Sequence, residues 1–393
     1  MPALHIFNPG HETAVLHGTP NYTPPVNVST MTKDLAYLPL WYADKGDLVY
    51  VETLNEEFLN STPRELNLQA SPFKAEISYR ERYTAVPWGL SPHILHYISS
   101  VTKGKVIQVD IPSWRPQYKM LTGRQNTIKS HQLICEISKE EHYPLPPLTM
   151  DSFEKVADYI SKAEGPVVLK TPFSSSGRGI LWIRNSKLTH SECNWIRGAI
   201  QKQGFISVEK GLNKTVDFAM EFYSDGKGSI RYEGLSLFGT EQKGAYTGNI
   251  LMPQPALQKQ IESLIGSEQL EKAKKTVTEA IQQVYSKEYA GYLGVDMILY
   301  NEDGMTHIHP CIEVNMRFTM GLVALKLFEH YVHPEAVGHY HVTFDKNPGE
   351  AFRKHLQEQK ENPLFIKDGK ISRGYLSLCP VTETTYYRAY LIV

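Results

Sequence analysis

Two stretches in which apolar and polar residues alternate, 295–300 (VDMILY) and 306–314 (THIHPCIEV), flank the polar tetrapeptide Asn301-Glu302-Asp303-Gly304. Period-two alternation on both sides of an Asx/Gly turn predicts a β-hairpin. Asp296 lies eight residues before Gly304 and Glu313 nine after it. Antiparallel pairing therefore sets these acids at nearly the same level, with Asn315 close by. A charge inside an apolar strand is costly unless it is paired. The pair is either a solvent-facing feature with Arg317 as its counter-ion or a built site.

The amino-terminal part alternates strands and helices. Residues 3–7 (ALHIF), 47–51 and 105–109 read as strands. Residues 85–100 give a strand end, a Trp-Gly turn and a helix with Ser91 as N-cap and Pro92 at its first position. This alternation predicts a parallel sheet, hence a Rossmann-like domain over residues 1–112. The loop Asn8-Pro9-Gly10-His11-Glu12 follows the first strand, where such sheets bind ligands; an ordinary turn with a capping Glu fits it equally. Residues 19–30 read as an irregular loop and 113–123 as a linker. A helix follows at 124–137, its Arg124 and Lys129 being either anion contacts or plain surface cations.

Beyond the prolines of 144–150, Asp151 with Glu154 reads as a capping box opening a helix. Strands are expected at 166–170, 180–183, 205–210, 215–223 and 229–238, the last two joined by an Asp-Gly-Lys-Gly turn. Residues 239–249 read as a polar loop carrying Lys243. Helices are expected at 188–203, 268–288, 319–331 and 349–361, and late strands at 371–378 and 385–392. The fold class is α/β and α+β.

With 393 residues, 41% of them hydrophobic and 21% charged, the chain suits a globular protein of two or three domains. Its 41 Lys and Arg offset 42 Asp and Glu, so no basic field calls for a nucleic acid. No apolar run approaches the ~18 residues of a membrane span. Four scattered cysteines without a CxxC pair indicate neither a zinc ribbon nor a disulfide framework, and a cytoplasmic setting fits. The sequence leaves the oligomeric state open, a homodimer being the commonest assembly among soluble oligomers.

Candidate chemistry sharpens this picture at two places. Asp296, Glu313 and Asn315 are hard oxygen donors of the kind that hold Mg²⁺ or Mn²⁺. Arg317 beside them can grip a phosphate or oxyanion through two N–H groups. Upstream, a strand delivers Lys170 into the loop Ser174-Ser175-Ser176-Gly177-Arg178-Gly179. Small residues let backbone N–H groups close around phosphate oxygens. The loop joins two strands and contains no GxxxxGK[ST], so it is not a P-loop, and GxGxxG is absent.

Taken in order, strand-borne Lys170 with its loop, a strand reaching Glu209 and Lys210, and Asp296 with Glu313-Val314-Asn315-Met316-Arg317 resemble the ATP-grasp superfamily. The resemblance implies a Rossmann-like domain over 1–112, a small lobe over 113–210 and a large lobe over 211–393. ATP would lie between the lobes. Lys170 would contact its phosphates, residues 174–179 would close over them, and Glu209, Lys210 and Leu212 would face adenine and ribose. Lys243 would add a phosphate-side cation. Asp296, Glu313 and Asn315 would hold Mg²⁺, and Arg317 would face the acyl phosphate. The implied activity joins a small-molecule carboxylate to an amine, with Asn8, His11, Glu12 and Trp88 on the substrate side. A phosphotransferase and a non-catalytic nucleotide-binding protein are the alternatives.

Overall fold

The computed structural model describes residues 1–74, 79, 81–105, 107–139, 143–174, 179–240 and 246–393. The amino-terminal strands Ala3–Ile6, Leu48–Val49, Ser71–Pro72, Arg82–Pro87 and Gln108–Asp110 form a parallel sheet in the order third, second, first, fourth, fifth. Its apolar residues serve both faces, as a parallel sheet requires: Leu4, Leu48 and Tyr83 pack on one side, Ile6 and Ala85 against Ile94 and Ile98 on the other. Strand order reverses between Ala3–Ile6 and Arg82–Pro87. The loops that follow these two strands therefore flank a topological switch point. Ser91 caps the helix Pro92–Thr102 as expected, accepting the N–H of Ile94 at 3.2 Å.

Two stretches read as loop contain helices, Val26–Asp34 and Gln117–Thr122. The first buries no side chain fully, so its sequence carries no apolar stripe to betray it.

The strands Leu148–Met150, Ile206–Lys210, Val167–Lys170 and Ile180–Ile183 form a smaller antiparallel sheet in that order. Helices Phe153–Lys162 and His190–Gln203 supply apolar residues to its core. The first helix is capped by Ser152, which accepts the N–H of Lys155 at 3.3 Å; Asp151 instead pairs with Lys155. The cap thus stands one residue later than expected and the expected box does not form, since Lys155 occupies the third helical position; a true one stands at Thr189 and Glu192.

An antiparallel sheet of eight strands among the described residues forms the third layer. Its central strands Asn213–Asp225, Ile230–Thr240 and Ala290–Glu302 are long, with Met305–Asn315 at one edge. Tyr246–Leu251 is a strand where a loop was expected; it joins the sheet to Gly338–Phe344 and Tyr387–Ile392. The expected single strand 371–378 is split at Gly374, whose φ of +107° turns the chain, so Lys370–Arg373 and Tyr375–Ser377 enter different sheets. Helix Ser267–Tyr285 buries Leu270, Ala273, Val277, Ile281, Val284 and Tyr285 against Met220, Val295 and Met297. Strand alternation then puts Glu221, Asp296 and Glu313 on the opposite face.

Candidate active site

The hairpin closes through Asp303 and Gly304, with φ of +51° and +77°, the left-handed pair of a tight hairpin turn. Near the turn the register is Glu302↔Met305 and Ile298↔His309. Continued unchanged, it would set Asp296 opposite Cys311. An irregularity around Pro310, which has no N–H to give the ladder, shifts the pairing by two residues. Asp296 then faces Glu313, and Gly294 faces Asn315. A shift of two preserves the face on which side chains point, so both acids stay together. Thr127 Oγ1 accepts the edge N–H of Val314 at 3.1 Å.

Asn315 donates from Nδ2 to Asp296 Oδ2 at 3.0 Å, and its Oδ1 accepts from Arg317 Nη2 at 3.0 Å. Arg317 also donates to Phe318 O at 3.0 Å and, through Nε, to Glu12 Oε1 at 2.5 Å. Arg124 is a buried residue, 5% exposed, and no surface cation. It donates to Glu313 Oε1 at 2.8 Å and to the carbonyls of Thr171 and Ile312 at 3.3 Å. It thereby ties the end of the Lys170 strand to the hairpin. Lys129, by contrast, is exposed.

Lys170 is buried and ion-paired with Glu209 across the small sheet. Lys210 points outward to pair with Glu302 near the hairpin turn. Leu212 O accepts the N–H of Lys214 at 3.0 Å. Gly179 returns the loop to its strand: its carbonyl accepts from Thr171 N at 2.9 Å, and a Cβ there would meet Thr171 Oγ1 at 2.2 Å. Ser174 is half-buried. Ser175, Ser176, Gly177, Arg178 and Lys243 lie outside the described residues.

The switch point of the parallel sheet meets this site. Asn8 pairs with the Gly89 backbone through Nδ2 at 2.8 Å and Oδ1 at 3.2 Å, joining the two loops. Trp88 O accepts from Phe318 N at 2.9 Å, and the two rings stack at 5.8 Å. Trp88 is only 2% exposed and presents almost no ring to solvent. His11 and Glu12 open the helix His11–His17, with His11 Nδ1 3.4 Å from Glu12 Oε2.

Among these connected groups four carboxylates, Glu12, Glu221, Asp296 and Glu313, meet two guanidiniums, Arg124 and Arg317. The balance, −4 against +2, leaves −2. Burial, with Glu313 and Glu221 beside it, pushes Asp296 up to about 8. Burial pushes Glu221 up to about 7 although Thr319 and Ser236 donate to it. Glu12 moves the other way. Burial raises it, but Arg317 and His11 together hold it well below the usual carboxylate range. Fully ionised, the cluster would carry more negative charge than its two guanidiniums offset, and the raised Asp296 and Glu221 show where that excess falls. Among the described residues no three His, Cys, Asp or Glu side chains form a metal cage. Two carboxylates and one amide are brought together, the amide turned so that its Nδ2 faces Asp296 and its Oδ1 faces Arg317; carboxylate oxygens of this kind suit a cation that takes its remaining ligands from phosphates and water.

Sequence reasoning missed Glu221, Thr319 and Ser236. The signal was present: Glu221 interrupts the apolar run of its strand just as Asp296 does.

Under the site, the rings of His131 and His309 meet at a tilt, their centroids 4.7 Å apart. Burial and then the nearby charge of Lys170 push His131 down to about 4; burial also drives His309 well below its ordinary range. A histidine held neutral in the fold but free to protonate when unfolded stabilises fully above pH ~6.5 and loses that contribution as pH falls toward 4. For His131 alone the loss is about 3 kcal/mol. Urea denaturation between pH 7 and pH 4 should show this drop, and His131→Asn should flatten it.

No family model and no curated protein matches the chain. Solved structures do. The biotin carboxylase β-γ-ATP complex from Campylobacter jejuni superposes with a TM-score of 0.51 at 11% identity, covering 100% of this chain and 87% of that one. The biotin carboxylase domain dimer of Hydrogenobacter thermophilus 2-oxoglutarate carboxylase, in complex with MgADP, ADP and bicarbonate, gives 0.50 at 13%, covering 100% and 86%. With the layers described above, this likeness gives the fold: the chain has the ATP-grasp fold.

Proposed function

We propose that the protein is an ATP- and Mg²⁺-dependent ligase that joins a small-molecule carboxylate to an amine through an acyl phosphate. The observation that carries this reading is the convergence of Asp296, Glu313, Asn315 and Arg317, tied by Arg124 to the end of the strand that bears Lys170 and by Glu12 to the first loop of the parallel sheet. A non-catalytic nucleotide binder has no need of a guanidinium placed beside the metal oxygens.

In this reading Asp296, Glu313 and Asn315 hold Mg²⁺ or Mn²⁺, and the gathering of more acids than guanidiniums supports that role. The cation when bound offsets negative charge on phosphoryl oxygens. Lys170 holds nucleotide phosphates, with Glu209 as its resting partner. Residues 174–179 and Lys243 are assigned to the same phosphates, and Lys210 and Leu212 to the adenine side. The substrate carboxylate attacks the γ-phosphate and ADP leaves. The amine then attacks the acyl carbon, phosphate leaves with its bonding pair, and the nitrogen releases its extra proton to the departing phosphate. Arg317 donates N–H groups toward the oxyanion that develops between these events. Arg124 orients Glu313 by donating to its Oε1. Asn8, His11 and Glu12, with the Trp88 backbone, form the substrate-side wall, and residues 1–112 serve as the substrate domain.

The test is ADP release measured against a pooled set of amino acids and polyamines. Stimulation by a carboxylate–amine pair, with stoichiometric phosphate, supports the ligase. A stable phosphorylated product formed without any amine overturns it. Lys170→Met should raise the KM for ATP by about 10- to 100-fold, the worth of one charge-assisted phosphate contact.

A further inference from the structure

Glu221 is 2% exposed and has no cationic partner in hydrogen-bond contact among the described residues. A buried acid without a salt bridge is expensive, and an apolar side chain would fill the same volume more favourably. Its surroundings are built for it. Thr319 Oγ1 donates to Oε2 at 2.8 Å and Ser236 Oγ donates to Oε1 at 3.0 Å. Two glycines leave room: a Cβ on Gly321 would meet Oε1 at 2.1 Å, and one on Gly294 would meet Oε2 at 2.7 Å. Gly321 lies in the first turn of the helix Met320–Tyr331, so the carboxylate sits where the helix dipole is positive.

Thr319 does two things at once. While donating to Glu221 it accepts the N–H of Leu322 at 2.9 Å, as the N-cap of that helix. Two residues earlier stands Arg317, and Gly294, under the carboxylate, pairs with Asn315. Lying beside the strand that bears Asp296, the acid thus fastens the strand bearing Ser236 to the turn that follows Arg317.

We propose that Glu221 is a positioning residue for Arg317: through Thr319 it pins the turn Phe318–Thr319 and so fixes where the guanidinium lies between Asn315 and Glu12. The effect on turnover rests on the ligase reading above, but the geometry does not. Thr319→Val keeps the shape while removing the donation to Glu221 and, with it, the helix cap, whereas Glu221→Ala removes only the former. The valine variant is therefore read beside Glu221→Ala, which should lose turnover in the same direction. Thr319→Val, which disturbs both contacts, should lower kcat by about 10- to 100-fold, the cost of a misplacement on the order of 1 Å, with the KM for ATP within about twofold. Thr319→Ser should restore kcat. Glu221→Gln retains one acceptor and should fall between wild type and Glu221→Ala.

A second readout is independent of activity. In protein labelled with ¹⁵N-arginine, the Arg317 Nε–H signal, identified by its loss in Arg317→Lys, should exchange slowly with solvent because it is bonded to Glu12. In Thr319→Val its exchange should quicken by about 10-fold or more, as local opening becomes easier. If wild type turns over no substrate, the ligase reading falls and this signal alone decides. Unchanged Arg317 exchange in Thr319→Val, or a Thr319→Ser protein as impaired as Thr319→Val, overturns the proposal.

Discussion

Glu313→Gln should cut ADP formation by on the order of 10³-fold, the upper range for removing one preorganised electrostatic group from a transition state. The side chain keeps its length and one oxygen but loses the charge that faces Asp296. Folding should survive, because Arg124 still donates to the carbonyls of Thr171 and Ile312. The destabilisation should stay near the 1–3 kcal/mol of a weakened buried hydrogen bond. Steady-state ADP release combined with a thermal melt separates the two effects. Normal turnover in a folded Glu313→Gln protein removes this residue from the site.

Arg317→Met should be nearly as severe for turnover, on the order of 10²- to 10³-fold in kcat. ATP affinity should change little, since Arg317 is assigned to the acyl group and Lys170 to the nucleotide. Its cost to stability is larger. Glu12 is 7% exposed and depends on Arg317 for compensation. Removing one member of a buried pair costs about 3–5 kcal/mol. The double variant Glu12→Gln with Arg317→Met should therefore recover most of the lost stability and none of the activity. Chemical denaturation with single-turnover kinetics on both proteins checks this. Recovery of activity in the double variant would place the chemistry elsewhere.

Most of the fold was legible because its periodic signals are strong. The hairpin, Ser91 with Pro92, and the apolar stripe of Ser267–Tyr285 each follow from local pattern. What failed was weakly patterned. Helix Val26–Asp34 has no buried face, and Tyr246–Leu251 is a strand only because the sheet on either side supplies its partners. The cap at Ser152 was misplaced by one residue because Asp and Ser compete for the same role and only backbone dihedrals decide.

The site divides the same way. Asp296, Glu313, Asn315 and Arg317 are close in sequence around one turn, so their convergence could be argued from spacing. The argument was right about the level and silent about the irregularity near Pro310 that achieves it. Arg124 belongs to a distant helix, and nothing local distinguishes a buried arginine from an exposed one on a helix of mixed polarity. Glu12 reaches Arg317 across 305 residues of chain, a contact that only the tertiary fold can reveal.

Central to the proposed function are two opposed acids and an amide that hold a cation carrying nucleotide phosphates. Electron paramagnetic resonance of Mn²⁺, titrated with the protein and a non-hydrolysable ATP analogue, addresses this without requiring a known substrate. Wild type should sequester Mn²⁺ in a nucleotide-dependent manner, and Glu313→Gln should lose that binding by about 100-fold or more, beyond the 10- to 100-fold usual for groups that only support a ligand. Equal Mn²⁺ sequestration by the two proteins in the presence of the nucleotide would contradict it.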